Sequence, residues 1–207
     1  MTSTDHDPAP LYGLILAGGR SARMRRDKAL LQYGGRTQVE ETFDLVSGFT
    51  KGTFLSCRSD QWPDGLFAGL PQVHDSVTHA GPMAGILSAF SLQPDTAWLV
   101  VACDLPFLDP QTLQELISHR DAEVPATAYH SAHGGLPEPL CAIYEPAARA
   151  ILLDFLNKGI RCPRNALIQS PAKLIHLQNP RALDNINHPE EYEEARQALQ
   201  REDQGGL

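Results

Sequence analysis

The chain has 207 residues, 42% of them apolar and 20% charged. A globular chain of that size buries about 70–75% of its unfolded surface and needs no disulfide or metal to hold it together. Its 16 glycines and 16 prolines are scattered, which excludes collagen, long coiled coils and low-complexity disorder, and a formal charge of −8 argues against nucleic acid or anionic membrane as partners.

The opening MTSTDHDPAP is polar and acidic, unlike a signal peptide, so residues 1–10 are expected to be a flexible N-terminus. No apolar run is long enough for a membrane span, which makes cytoplasm the expected location. LYGLILAGG then reads as a strand that ends in a glycine loop at its carboxyl end. Further strands are expected at KGTFLSC, PQVH and AWLVVAC, alternating with helical segments at about Thr37–Gly48, Pro82–Leu92 and Pro110–His119. The unbroken apolarity of AWLVVA predicts a strand buried on both faces, as in an α/β fold with a mostly parallel sheet. Asp109 before Pro110 is a helix start signal, and so is Asn187-His188-Pro189 before the polar, solvated EEYEEARQALQ. Between these lie strand-like EVPATAYH, Gly/Pro-rich HGGLPEP, strand-like LCAIY and a helix from Pro146. With no linker and no repeat, residues 11–200 are expected to be one domain with halves at about 11–120 and 121–200, followed by a flexible tail at 201–207. Cys57, Cys103, Cys141 and Cys162 stand singly, so reduced, buried thiols are expected.

Chemistry concentrates in Leu16-Ala17-Gly18-Gly19-Arg20-Ser21-Ala22-Arg23-Met24-Arg25-Arg26-Asp27-Lys28. Paired glycines let backbone N–H groups approach an anion, and the cations after them neutralise phosphate. Residues 20–28 hold five of the 17 basic residues and one of the 25 acidic ones, a phosphate-sized positive site on an acidic chain. The segment is neither G-x-G-x-x-G nor G-x-x-x-x-G-K-[ST], which removes the main signal for dinucleotide oxidoreductases and P-loop NTPases.

It resembles instead the L-A-G-G-x-S-x-R-M-G-x-D-K signature of the molybdenum cofactor guanylyltransferase family. The resemblance continues at Asp75 with Gly81-Pro82-Met83-Ala84-Gly85, at Cys103-Asp104-Leu105-Pro106, and at Asn185-Ile186-Asn187-His188-Pro189-Glu190-Glu191. It implies a three-layer, Rossmann-like nucleotidyltransferase fold with a nucleotide-binding first half and an acceptor-binding second half. It also implies GTP as donor, Mg²⁺ as cofactor and molybdopterin, with or without molybdenum, as acceptor. Transient contact with a molybdenum insertion factor or an apo-molybdoenzyme would follow from that role. By position, Leu16, Ala17, Gly18, Gly19, Arg20, Ser21, Arg23, Lys28, Asp75 and Asp104 would bind the nucleotide, with Arg23, Lys28 and Asp104 catalytic. Asn185 and Asn187 would lie near the acceptor, and Asp104 and Asn187 would hold the metal.

The residues carry local readings beside these. Asp104 follows a central strand, where open α/β sheets bind ligands, and equally could cap the next turn. Asp75 suits a hydrogen bond to base or ribose as well as a turn cap. Asn187 or His188 could cap the last helix. His130 and His133 read as loop residues near the acceptor, and Arg161–Asn165 as a solvated basic turn. Three positions depart from the resembled pattern: Arg25 in place of glycine, Cys57 where asparagine touches the nucleotide, and His188 in place of threonine. A sibling enzyme using CTP or a sugar phosphate, and a non-catalytic nucleotide-binding adaptor, are the alternatives.

Overall fold

A computed structural model describes residues 7–19, 24, 27–62, 64–77, 80–131 and 134–205. Its strands are β1 (Leu11–Leu16), β2 (Thr53–Cys57), β3 (Gln72–His74), β4 (Ala97–Ala102), β5 (Ala126–His130), β6 (Pro137–Tyr144) and β7 (Lys173–Ile175). They form one sheet in the order β3-β2-β1-β4-β6-β5-β7. All neighbours are parallel except β6, which runs antiparallel to both β4 and β5. The expected α/β class with a mostly parallel sheet is therefore observed.

Helices α1 (Gln38–Ser47) and α3 (Pro110–Ser118) pack on one face. On the other lie α2 (Pro82–Leu92), α4 (Ala148–Asn157) and the short α5 (Pro163–Ile168). Thr37 and Glu40 form a reciprocal capping box at the start of α1, and Asp109 caps α3 from its side chain, each satisfying backbone donors that a helix start leaves open. Every residue of β4 is buried, as its unbroken apolarity predicts. Trp98 on β4 meets Tyr12 and Phe54 in an aromatic cluster on the α2 face. Close approach between α2 and the sheet depends on Gly85, where a Cβ would collide with Ser56 Oγ and Leu16 Cδ2.

The chain visits β1, β2 and β3 outward in one direction and then returns to place β4 on the other side of β1. That reversal opens a crevice beyond the carboxyl ends of β1 and β4, the place where open α/β sheets bind ligands. Helix α6 (Pro189–Gly205) packs across this end through Tyr192 and Ala195, and Ile186 just before it joins them, against Met24, Leu31 and Tyr33. It continues past residue 200, so residues 201–205 are helical. Residues 9 and 10 are tied to the body, since the Ala9 carbonyl accepts from Arg120 and the Pro10 carbonyl from the Ala97 amide.

Two elements were not expected. Strand β7 has three residues, too few for a periodic signal, and α5 starts inside the segment read as a solvated turn. Cys57, Cys103 and Cys141 are buried free thiols, but Cys162 is exposed, because it precedes α5 at the surface.

Candidate active site

Beyond β1 and β4 lies a cavity of about 900 Å³ lined by Leu16, Ala17, Gly18, Gly19, Lys28, Asp75, Asp104 and Asn187, among others. These come from sequence segments far apart, and they are eight of the residues expected at the site. Arg20, Ser21 and Arg23 lie outside the described residues, as do Arg25 and His133.

Three of the lining residues form a junction. Lys28 stands on a short 3₁₀ turn (Lys28–Leu30) capped by the Asp27 side chain. Its Nζ donates to Asp104 Oδ2 at 2.8 Å and to Asn187 Oδ1 at 2.7 Å. The Lys28 and Asp104 side chains are only 16% and 18% exposed, so this ion pair is better shielded from solvent than a surface bridge and correspondingly stronger. Ile186 N donates to the Asp104 carbonyl at 3.1 Å, which locks the segment carrying Asn187 onto the end of β4. Asn187 thus spends its side chain on Lys28, and the start of α6 is capped in reverse. Glu191 accepts from the amides of Asn187 at 2.6 Å and His188 at 3.1 Å, and these bonds hold its carboxyl below the usual range.

Asp75 follows β3 and faces the glycine loop. A Cβ on Gly18 would lie 3.3 Å from Asp75 Oδ2, so glycine leaves room beside the carboxylate. Burial raises the Asp75 carboxyl above its ordinary range, opposed by the Ser56 hydroxyl and by the Arg58 charge. Its side chain looks into the cavity.

Cys57 does not touch the cavity. Its Sγ lies 3.5 Å from Gln72 Oε1 and 3.6 Å from His74 Nδ1, and burial pushes its thiol up to about 11. Ser56 and Arg58, its two neighbours, line the cavity instead. Alternation at the strand end puts consecutive side chains on opposite sides, so the cavity is lined by the neighbours of Cys57 and not by Cys57 itself.

A second cavity of about 640 Å³ shares Ala102, Asp104 and Leu140 with the first and is lined further by Phe107, Arg164, Arg181 and Asn185. Asn185 therefore opens on the second cavity and Asn187 on the first. Arg164 donates to the Pro137 carbonyl at 2.9 Å and to Glu138 Oε2 at 3.1 Å. Within the segment read as a solvated basic turn, Arg164 is thus part of a cavity wall, while Arg161, Cys162 and Asn165 are exposed as expected. Arg181 stacks its guanidinium 4.2 Å over the Phe107 ring. His130 stacks on His176 with ring centroids 5.2 Å apart, a pairing no local pattern announces. Gln61 and Trp62, which reach Asp27 from the loop after β2, were also not anticipated, since nothing in their own neighbourhood marks them.

The family model of the MobA-like NTP transferase domain matches residues 13–172. The chain belongs to the MobA-like NTP transferase family. This match takes in the glycine loop, Asp75 and Asp104 and stops short of Asn185 and Asn187. A molybdenum cofactor guanylyltransferase of Pseudomonas paraeruginosa is 32% identical over 184 residues, covering 87% of this chain and 92% of that protein. A molybdenum cofactor biosynthesis bifunctional protein of Synechocystis is 38% identical over 188 residues, 91% of this chain. The chain spans about half of that bifunctional protein's length, 54%. Among solved structures, molybdopterin-guanine dinucleotide biosynthesis protein A of Archaeoglobus fulgidus superposes with a TM-score of 0.76 at 24% identity, over 92% of this chain and 99% of that one. That fold thus accounts for nearly all of the chain.

Proposed function

We propose that the chain is a molybdenum cofactor guanylyltransferase that joins GMP from GTP to the terminal phosphate of molybdopterin. A terminal phosphate oxygen of the acceptor attacks the α-phosphorus of GTP, the bond from that phosphorus to the bridging oxygen of the β-phosphate breaks, and pyrophosphate leaves. Such transfer between two anions asks the protein for positioning and charge compensation more than for a nucleophile. The observation that carries the reading is the junction of Lys28, Asp104 and Asn187 in the wall of the cavity of about 900 Å³, in a family whose relatives bear this name.

Two hard oxygens, Asp104 Oδ2 and Asn187 Oδ1, already converge on one cation, the Lys28 ammonium. A single carboxylate with an amide carbonyl, completed by phosphates and water, suits Mg²⁺, and among the described residues no cluster of three or more His, Cys, Asp or Glu competes for it. Asp104 and Asn187 would hold the ion, which when bound supplies charge neutralisation on the triphosphate and on departing pyrophosphate. Lys28 would then turn its ammonium to the phosphates. Gly18 and Gly19 bring backbone to the triphosphate without a Cβ between them, and Asp75 offers an acceptor to the base or ribose. The second cavity, joined to the first at Asp104, would take molybdopterin, with Asn185, Arg164 and Arg181 facing its phosphate and ring.

Pyrophosphate release by the purified chain tests this, with Mg²⁺ and each of GTP, CTP, UTP and ATP, with and without molybdopterin. Release only with GTP and molybdopterin together is expected. Release with CTP instead overturns the nucleotide assignment, and nucleotide binding without release under any acceptor overturns the activity.

A further inference from the structure

We propose that Gln61 is a positioning residue for nucleotide transfer, its one side-chain amide tying the entry of the phosphate loop to its exit. Gln61 Nε2 donates to the Ala17 carbonyl at 2.7 Å, where β1 has just ended, and to Asp27 Oδ2 at 3.1 Å, one residue before Lys28. Its Oε1 accepts from the Arg58 amide at 3.4 Å, and its own amide N donates to the Arg58 carbonyl at 3.1 Å. The amide is therefore oriented with both donors toward the loop ends and its oxygen toward its own segment.

Neighbours on that segment reinforce the same two points. The Arg58 guanidinium donates to the Gly18 carbonyl, and Trp62 Nε1 donates to Asp27 Oδ2 at 3.0 Å. Trp62 itself stands edge-on to Phe67, with centroids 4.9 Å apart, and the Phe67 carbonyl accepts from Gln72 Nε2 on β3 at 2.9 Å. The brace is thus anchored to the sheet and not to the loop that it holds.

Two consequences follow from peptide geometry and capping. In a trans peptide the carbonyl and the next N–H point to opposite sides. Holding the Ala17 and Gly18 carbonyls toward the brace turns the Gly18 and Gly19 N–H groups away from it, and both glycines line the cavity. At the exit, Asp27 Oδ2 takes the donors of Gln61 and Trp62, while Asp27 Oδ1 accepts from Ala29 N at 3.1 Å. The brace therefore holds the carboxylate that caps the turn bearing Lys28, and through it sets where the ammonium stands relative to Asp104 and Asn187. Gln61 and Trp62 do not line the cavity themselves, so they act through the loop.

The inference rests on the reading that the cavity takes a nucleoside triphosphate, and titration of the full chain with GTP and Mg²⁺ by calorimetry separates the two. Gln61→Met keeps the length of the side chain and removes both donors. It is expected to weaken GTP about tenfold, as loss of two hydrogen bonds would, and to leave the KM for molybdopterin unchanged. In a Lys28→Met background the same change should weaken GTP by less than about twofold, the non-additivity that marks residues acting in series. Trp62→Phe, which keeps the ring against Phe67 and loses only the bond to Asp27, should weaken GTP about threefold and keeps the test open if Gln61→Met does not fold. Wild-type affinity in either variant, or full additivity with Lys28→Met, overturns the brace while the nucleotide reading stands. A wild-type chain that binds no GTP overturns both.

Discussion

The two sides of β4 build their cavities from different materials. On the β1 side the walls are strand ends, glycines and a loop whose carbonyls are held from behind by Arg58 and Gln61. On the β6 side they are long charged side chains that already have partners, Arg164 on Glu138 and Arg181 over Phe107. Held backbone is preorganised for one shape of anion, so apart from Lys28, which must leave Asp104 and Asn187, binding on the β1 side reorders little. Side chains in pairs must exchange partners when an anion arrives, so that side adapts to its occupant. Of the residues common to both walls, Ala102, Asp104 and Leu140, Asp104 alone is charged, which makes it the electrostatic link through which each side would feel the other.

Substitution should therefore divide by side. Asp104→Ala acts on both and is expected to lower turnover about 10³-fold, measured as pyrophosphate release, with circular dichroism unchanged; an effect confined to one substrate would dissolve the shared wall. Lys28→Met should cost about 10²-fold in kcat/KM for GTP. Because it takes the ammonium away from Asp104, it should also tighten Mn²⁺ binding in the absence of nucleotide, read by electron paramagnetic resonance. Arg181→Ala is expected to raise the KM for molybdopterin about tenfold, the scale of one charge-assisted hydrogen bond, and to leave GTP affinity untouched; a matching loss of GTP affinity would show that the sides are not separate.

Asp75→Asn gives the smallest change and the opposite sign for the fold. Burial holds the Asp75 carboxyl above its usual range, so the protonated form is the one that favours folding. That contribution is full below the unfolded value of about 3.9 and is lost as pH rises through the raised folded value. At pH 7 the amide should therefore raise Tm by about 2 °C while weakening GTP. The gain in Tm should shrink as pH falls toward about 4, and a lower Tm at pH 7 would contradict the burial argument.

Sequence patterns reveal the β1 side more fully than the β6 side, for a physical reason. An all-apolar strand such as β4 and a glycine pair after β1 are local features, and each marks its own place in the chain without reference to distant residues. Asp104 inherits its place from β4 in the same way. Cys57 shows the limit of such reading, because burial at a strand end decides which of two adjacent side chains faces the cavity. Arg164 and Arg181 become cavity walls only through partners distant in the chain, and Gln61 reaches acceptors 44 and 34 residues away. No periodicity encodes a contact of that kind. The motif at Asn185–Asn187 was readable as a group, yet its division between two cavities depends on the bond to Lys28 and the docking of Ile186.

The bond between Lys28 and Asn187 spans 159 residues, while the last strand of the sheet ends at Ile175. During synthesis every strand named above can emerge and pair before Asn187, the later of the two partners of Lys28, has left the ribosome. A chain clipped after β7 would keep a complete sheet, with Lys28 and Asp104 lacking the third member of their junction. Damage to the C-terminal segment should then register in two ways at once, as lost nucleotide handling and as newly exposed Met24 and Leu31, which Ile186 and Ala195 otherwise cover.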